Sequence, residues 1–237
     1  MKYVAEKNRK FTDMGGVKTY HSLYPVVYPP ANTGWGQVIR FDNKMMSPGG
    51  QEVENYVGAP MQIIRMMLNG SADYFDSSGY RTVLNGHDTL LVNPGTELLQ
   101  SVIHSSGEND EAEFLEIWLS SAVNDKMYEF HSAPSQPENG RFYTLMAPET
   151  DSVGNRKSWL RIGTFEARTT FEIEATTPAK NIILFVLNGG LTANGQYLSY
   201  RDTAIFSTDN AIKMKFEKPT TLCMLETGNN AFSAIYN

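Results

Sequence analysis

Cysteine is almost absent from this chain of 237 residues, with Cys223 standing alone. That excludes an internal disulfide framework and any cysteine-rich zinc site. The role left for Cys223 is a buried place in the apolar run TTLCML. Histidine is scarce as well. Its four occurrences are His21, His87, His104 and His131, and no two are spaced i,i+2 or i,i+4. Paired imidazoles on one face of a strand or helix are therefore excluded. There is no Lys/Arg cluster, and the net charge of −6 argues against a nucleic-acid surface. Apolar runs such as Asn181–Leu187 are too short to span a membrane, and MKYVAEKNRKF at the start has no apolar signal region. These absences lead to the expectation of a cytoplasmic protein without nucleic-acid or membrane partners.

What the chain has in quantity is short β-rich runs. They include QVIRF (37–41), MQIIRMML (61–68), DTLLV (88–92), EFLEIWL (113–119), NIILFVL (181–187) and TTLCML (220–225). Asn-Gly, the dipeptide that best tolerates the positive φ of tight hairpins, punctuates them at Asn69, Asn85, Asn139, Asn188 and Asn194. Long helix-period segments are missing, so the pattern predicts an all-β sandwich or barrel of jelly-roll type. A faint repeat runs through it. Met67-Leu68-Asn69-Gly70 parallels Val186-Leu187-Asn188-Gly189, and each copy is followed by L-x-x-x-D-T, at Leu84 to Thr89 and Leu198 to Thr203. Two copies of one β unit predict two homologous barrels. The polar, proline-bearing stretch 121–140 reads as the linker, with a short helical turn possible over Ala122–Phe130. It divides the chain into an N-terminal domain, 1–140, and a C-terminal domain, 141–237.

An ordered series of motifs resembles the pirin family, in its quercetin dioxygenase-like branch. Gly16 to Pro25 is similar to the family's opening motif, and Gly34 to Arg40 to its G-F-x-x-L-R-V strand. Asp76-Ser-Ser-Gly79, Gly86-His87-Asp88 and Asn93-Pro94-Gly95-Thr96 follow the family's succession of turns, and Leu115 to Leu119 its L-Q-I/L-W segment. The resemblance covers roughly residues 14–226. It implies a double-stranded β-helix, the cupin jelly roll, with two barrels in one chain.

The resemblance also implies iron or another divalent transition metal, held in the N-terminal barrel by three histidines and a glutamate. Carried onto this sequence, the ligand positions become Tyr56, Gly58, Gln100 and Val102. Such a set gives a transition metal almost nothing to bind. The expectation is accordingly a degenerate metal site with no metal cofactor. The cavity would remain, and strand alternation nominates Tyr56, Gln62, Gln100, His104, Phe114, Glu116 and Trp118 as its lining. Tyr56 and Gln100 are expected to fill the old site and hydrogen-bond each other. Glu116 either acts as an acid or base between aromatics, or pairs with Arg40 or Arg65. His87 reads as an exposed hairpin residue and His131 as part of the linker, His104 either lines the barrel mouth or is an exposed loop residue, and His21 reads as structural.

Two functions stay open at this point. One is a metal-independent protein that binds a small organic ligand or a regulatory protein partner. The other is an enzyme, either a quercetin 2,3-dioxygenase-like oxidoreductase with a rebuilt site in the N-terminal barrel or a metal-independent catalyst.

Overall fold

The computed structural model describes residues 1–23, 37–56, 61–94, 99–106, 110–120, 127–132, 138–146, 158–173, 180–208 and 211–228. The chain divides into two units, one comprising Lys10–Ala31 and Val38–Ser135, the other Met1–Arg9, Asn32–Gln37 and Gln136–Asn237. Strand β1 (Lys2–Val4) belongs to the second unit. The first unit holds β2 (Lys10–Asp13), β3 (Val17–Leu23), β4 (Val38–Met46), β5 (Gln51–Tyr56), β6 (Met61–Asn69), β7 (Ser71–Asp76), β8 (Arg81–Asn85), β9 (Asp88–Val92), β10 (Leu99–Ser105), β11 (Ala112–Ser120) and β12 (Tyr128–Ser132). The second unit continues with β13 (Arg141–Met146), β14 (Trp159–Phe165), β15 (Thr170–Ile173), β16 (Lys180–Asn188), β17 (Gly190–Ala193), β18 (Gln196–Ser199), β19 (Thr203–Thr208), β20 (Ile212–Phe216) and β21 (Thr220–Gly228). One turn of 3-10 helix, Glu6–Asn8, is the only helix among the described residues. No helix there is long and apolar enough to cross a membrane.

Each unit pairs a large antiparallel sheet with a four-stranded one. In the first unit the orders are β12-β9-β6-β11-β4-β3-β2 and β5-β10-β7-β8. In the second they are β1-β19-β16-β21-β14-β13 and β15-β20-β17-β18. The two orders correspond, with β6 answering to β16, β11 to β21 and β4 to β14, and with β2 as an extra edge strand of the first unit. Buried side chains from both sheets of each unit meet in one core. Met61, Ile63, Tyr74, Leu90, Ile103 and Phe114 lie in the first, and Ile182, Leu184, Phe206, Met214, Phe216 and Leu222 in the second.

The repeated motifs have a physical reason. Gly70 and Gly189 end β6 and β16 at φ +72° and +87°. A Cβ there would lie 2.5 Å from the Glu111 carbonyl oxygen or 2.1 Å from that of Pro219, so only glycine fits. In both L-x-x-x-D-T copies the residue before the aspartate is left-handed, His87 at φ 75° and Arg201 at φ 60°. Asp88 and Asp202 then accept a hydrogen bond from the backbone N–H three residues back, Asn85 and Ser199, each at 2.9 Å. The motif is a hairpin lock, built twice.

The stretch expected to be a linker carries a strand. β12 pairs with β9, placing His131 opposite Thr89 and extending the first unit's large sheet. Residues 128–130 are thus extended rather than helical, while 121–126 and 133–137 lie outside the described residues. Tyr128 fixes the strand. Its ring stacks on Tyr80 at 3.9 Å and its hydroxyl donates to Asp76 Oδ2 at 2.6 Å. His87 is half-buried rather than exposed. β1 crosses the expected boundary at residue 140 in the other direction, since it pairs with β19.

Candidate functional site

Charge is concentrated inside the first barrel. Antiparallel partners share a face, and alternate residues along a strand point the same way. Phe114, Glu116 and Trp118 on β11 are registered against Lys44, Asp42 and Arg40 on β4 and against Met67, Arg65 and Ile63 on β6. Met67, Ile63 and Phe114 belong to the core cluster, so this face is the interior. On the opposing sheet β5 sends Glu52, Glu54 and Tyr56 inward, while Gln51, Val53 and Asn55 are exposed.

Lys44, Arg65 and Glu116 are each 0% exposed, and they survive burial by pairing. The Lys44 ammonium lies 2.7 and 2.8 Å from the two Glu52 carboxylate oxygens, 3.0 Å from Glu54 Oε1 and 2.8 Å from Glu116 Oε1. Arg65 donates from Nε to Glu116 Oε2 at 3.1 Å, and from Nη2 to Glu54 Oε2 at 3.1 Å and to the Tyr56 hydroxyl. Arg65 Nη1 has no hydrogen-bond partner among the described residues, but the guanidinium lies 5.3 Å from the Tyr74 ring centre. Arg40 bonds Asp42 and, at 3.1 Å, Glu54 Oε1, and it stacks over Trp118 at 4.9 Å. The Trp118 indole N–H donates to Glu116 Oε1 at 3.1 Å. Tyr56 donates to Glu54 Oε2 at 2.7 Å and accepts from Ser101 at 3.1 Å. At one flank His21 Nδ1 meets Asp42 Oδ1 at 2.8 Å and His21 Nε2 meets Thr12 at 3.1 Å, so His21 is structural as expected.

These contacts set the ionisation of the cluster. Burial works against the Lys44 and Arg40 charges, but the carboxylates around them raise both pKa values on balance. Burial likewise works against the Glu54 carboxylate, but Lys44, Arg65 and Arg40 together hold it well below the usual range. Glu52 goes the other way. Burial, helped by Glu54 and Glu116 and opposed by Lys44, pushes it up to about 7. Burial also pushes the Tyr56 hydroxyl well above its ordinary value. The network reaches solvent through Arg40, Glu52 and Glu54, whose side chains keep 13–15% of their surface exposed.

Four of the residues nominated from sequence, Tyr56, Phe114, Glu116 and Trp118, come together here. Glu116 takes the pairing alternative, bonded to Arg65 and Lys44 and 3.5 Å from Arg40. Gln62, Gln100 and His104 do not line the interior. On β6 the inward residues are Ile63, Arg65 and Met67, so Gln62 takes the opposite face. On β10 the inward residues are Leu99, Ser101 and Ile103, which leaves Gln100, Val102 and His104 on the outer face. The expected Tyr56–Gln100 bond is therefore absent, and Gln100 bonds Asn55 at 3.1 Å instead. His104 lies 4.0 Å from Asp73, with 41% of its side chain exposed. A one-residue displacement along β10 accounts for all three, because each step reverses the face. Gly58 lies outside the described residues.

Among the described residues, the inward donors do not make a transition-metal site. Such an ion needs imidazole, thiolate or carboxylate donors converging at roughly 2.0–2.2 Å. Oxygens of Glu52, Glu54 and Glu116 do approach within 4.8 Å of one another. Yet the Lys44 ammonium sits among them, and His21 is engaged by Asp42 and Thr12. In the second unit a groove of about 540 Å³ runs over outward residues such as Glu172, Lys213 and Lys215, away from that unit's interior.

Two such β-barrels in one polypeptide define the double-barrel cupin, or bicupin, fold. Its particular form is pirin-like. The chain is similar to bacterial pirin YhhW in complex with nickel(II) from Escherichia coli, with a TM-score of 0.80 at 14% identity over 97% of this chain and 99% of that one. It is similar to YhaK from Escherichia coli, TM-score 0.68 at 15% identity over 95% of each chain. It is also similar to quercetin 2,3-dioxygenase from Acinetobacter baumannii, TM-score 0.72 at 12% identity over 97% of this chain and 86% of that one. At such identities the likeness is one of fold. No protein-family model matches the sequence, and no curated protein matches it.

Proposed function

We propose that this chain is a metal-independent bicupin that binds a small polar organic ligand at the charged interior of its first barrel and acts as a binding or regulatory protein in the cytoplasm. One observation carries the reading. The second barrel builds the same frame with Leu184, Met224 and Gly163 where the first has Arg65, Glu116 and Lys44, as the shared registers with Val186–Leu222 and Met67–Phe114 fix. Buried ion pairs are often no more stabilising than well-packed apolar side chains of similar volume. The frame does not need the charges, so their retention speaks for recognition. Arg40, Glu52, Glu54 and Trp118, partly exposed at the edge of the network, are the groups a ligand would meet first.

Metal analysis of protein purified without an affinity tag tests this, followed by titration with iron, nickel and copper. Less than a tenth of an equivalent of bound metal and no flavonol ring cleavage after addition is the expected result. Stoichiometric metal within the first barrel, or metal-dependent ring cleavage, would establish the dioxygenase-like reading instead. A screen of small carboxylates and amines by Trp118 fluorescence then searches for the ligand, with Arg40→Ala and Glu52→Gln as controls that should weaken any hit tenfold or more.

A further inference from the structure

Tyr80 and Tyr128 bring the two sheets of the first barrel together at one edge. Tyr80 closes the turn after β7, its carbonyl accepting from the Asp76 N–H at 3.1 Å, and leads into β8 of the four-stranded sheet. Tyr128 opens β12, the edge strand of the seven-stranded sheet. Their rings stack at 3.9 Å between centres and 6° between planes. Aromatic pairs ordinarily sit at about 4.5–7 Å, so these two lie unusually close, face against face. Among the described residues no other two tyrosines are stacked, since Tyr74 meets Tyr80 at 6.2 Å with a tilt of 59°. Both rings of the pair are half-buried and within reach of solvent.

The Tyr128 phenol proton also has a fixed acceptor. The hydroxyl donates to Asp76 Oδ2 at 2.6 Å, while Asp76 Oδ1 is held by the Ser78 N–H at 2.9 Å and the Ser78 hydroxyl at 2.7 Å. Tyr74 donates to the same Oδ2 at 3.0 Å. Burial and the Asp76 bond raise the Tyr128 pKa, so the group stands as a neutral phenol. A phenol that loses an electron becomes a strong acid, and a carboxylate at hydrogen-bond distance takes its proton as the electron leaves.

We propose that Tyr80 and Tyr128 are an oxidative cross-linking site, which a one-electron oxidant in the form of a diffusible radical converts into a dityrosine that staples the two sheets of the first barrel. Each ring gives one electron to one equivalent of oxidant. The Tyr128 proton passes to Asp76 and the Tyr80 proton to solvent. The two phenoxyl radicals then join through a carbon beside each oxygen, and those carbons pass their hydrogens to the oxygens, restoring both phenols. Two oxidant equivalents are reduced, two protons are released and one C–C bond forms, so the chain becomes lighter by two hydrogens. Stacking replaces a bimolecular collision with a contact already made. The product constrains the unfolded chain as a disulfide does. None of this depends on the ligand-binding reading above.

Brief illumination of dilute wild-type protein with ruthenium tris(bipyridine) and persulfate tests it. Mass spectrometry should find a dominant monomeric product, two hydrogens lighter, with the Tyr80 and Tyr128 peptides joined and dityrosine fluorescence present. Tyr80→Phe and Tyr128→Phe keep a ring in the stack and should each lower that fluorescence by about tenfold or more. Asp76→Asn removes the proton acceptor and should slow coupling by about threefold or more; an unchanged rate in the folded variant overturns the role given to Asp76. The cross-linked chain should unfold at a higher urea concentration, and an unchanged midpoint overturns the staple. Tyr3, Tyr143, Tyr197 and Tyr200 are 38–44% exposed, so oxidation governed by exposure alone would select them. Products spread over those residues with no joined Tyr80–Tyr128 peptide overturn the proposal, as does dityrosine formed only between chains. Should a variant not fold, the wild-type peptide map decides by itself.

Discussion

Where β6 of the first barrel turns Arg65 inward, β16 of the second turns Leu184; the neighbouring strand supplies Glu116 in one case and Met224 in the other. Beside them, Lys44 corresponds to Gly163. The missing side chain at Gly163 is what admits the aromatic filling of the second barrel. Phe165 stacks on Phe216 at 4.3 Å, with Phe142 and Phe171 edge-on at 5.2 Å from Phe165. The hairpin locks and sheet orders are common to both. Frame and filling are therefore separate inventions in this chain. The frame comes from glycine, left-handed turns and aspartate caps, and the interior is free to be ionic or aromatic.

The sharpest way to break the comparison is to move a charge across it. Leu184→Arg places a guanidinium opposite Met224 and Ala204, with Glu226 on the same face already 3.5 Å from Arg161, and the second unit should fail to fold, as far-UV circular dichroism and solubility would show. Next comes the reverse exchange. Arg65→Leu leaves Glu54 and Glu116 buried with one of their two buried cations gone and should cost about 3–5 kcal/mol in denaturant unfolding. The double change Arg65→Leu, Glu116→Met copies the second barrel and should recover part of that loss, and a double-mutant cycle with no coupling would refute the shared frame. Gly163→Ala should cost about 1–3 kcal/mol by overpacking, since its Cβ would lie 2.7 Å from Phe165 and 2.9 Å from Phe142.

The smallest effect is a slope with pH. Glu52 has its pKa raised from 4.5 to about 7, so the folded state holds this proton more tightly than the unfolded chain. Its stabilising contribution is complete below about 4.5 and is lost as pH rises through about 7. Wild type should therefore lose stability relative to Glu52→Gln across that window, by at most about 1.4 kcal/mol per pH unit. Urea midpoints of both proteins at several pH values check it. A relative gain with rising pH would contradict the assignment.

Much of the frame was legible in the sequence, because β6, β9, β11, β16 and β21 alternate or run apolar between glycine turns. The charged strand was not. β5 reads QEVENY, and its inward residues are Glu52, Glu54 and Tyr56, so the usual polar and apolar faces are exchanged, with Val53 left 49% exposed. Hydrophobic alternation cannot reveal a strand whose buried side is acidic. The same feature hid Lys44, whose partners lie on β5 and β11. A signal was nonetheless present: Arg40, Asp42 and Lys44 alternate on one strand, as do Glu52 and Glu54 on another, with opposite charges in a chain otherwise built on apolar faces. Gln62, Gln100 and His104 were misplaced for a different reason, since strand parity depends on register and register is a tertiary property.

The burial of Lys44 and Cys223 gives each barrel its own chemical clock. Lys44 is closed to amine reagents, and Cys223 is 1% exposed with its thiol pushed up to about 12 by burial. Lys44 lies inside the first barrel, whereas Cys223, between the inward Leu222 and Met224, is buried on the other face of its sheet; acylation and alkylation can each proceed only after what covers that residue has opened, and the two products differ in mass and in peptide. A single labelling time course, read by mass spectrometry, would thus record the opening of the ionic interior of the first barrel and the uncovering of the outer face of the second unit's large sheet separately, within the same molecule and without a substitution.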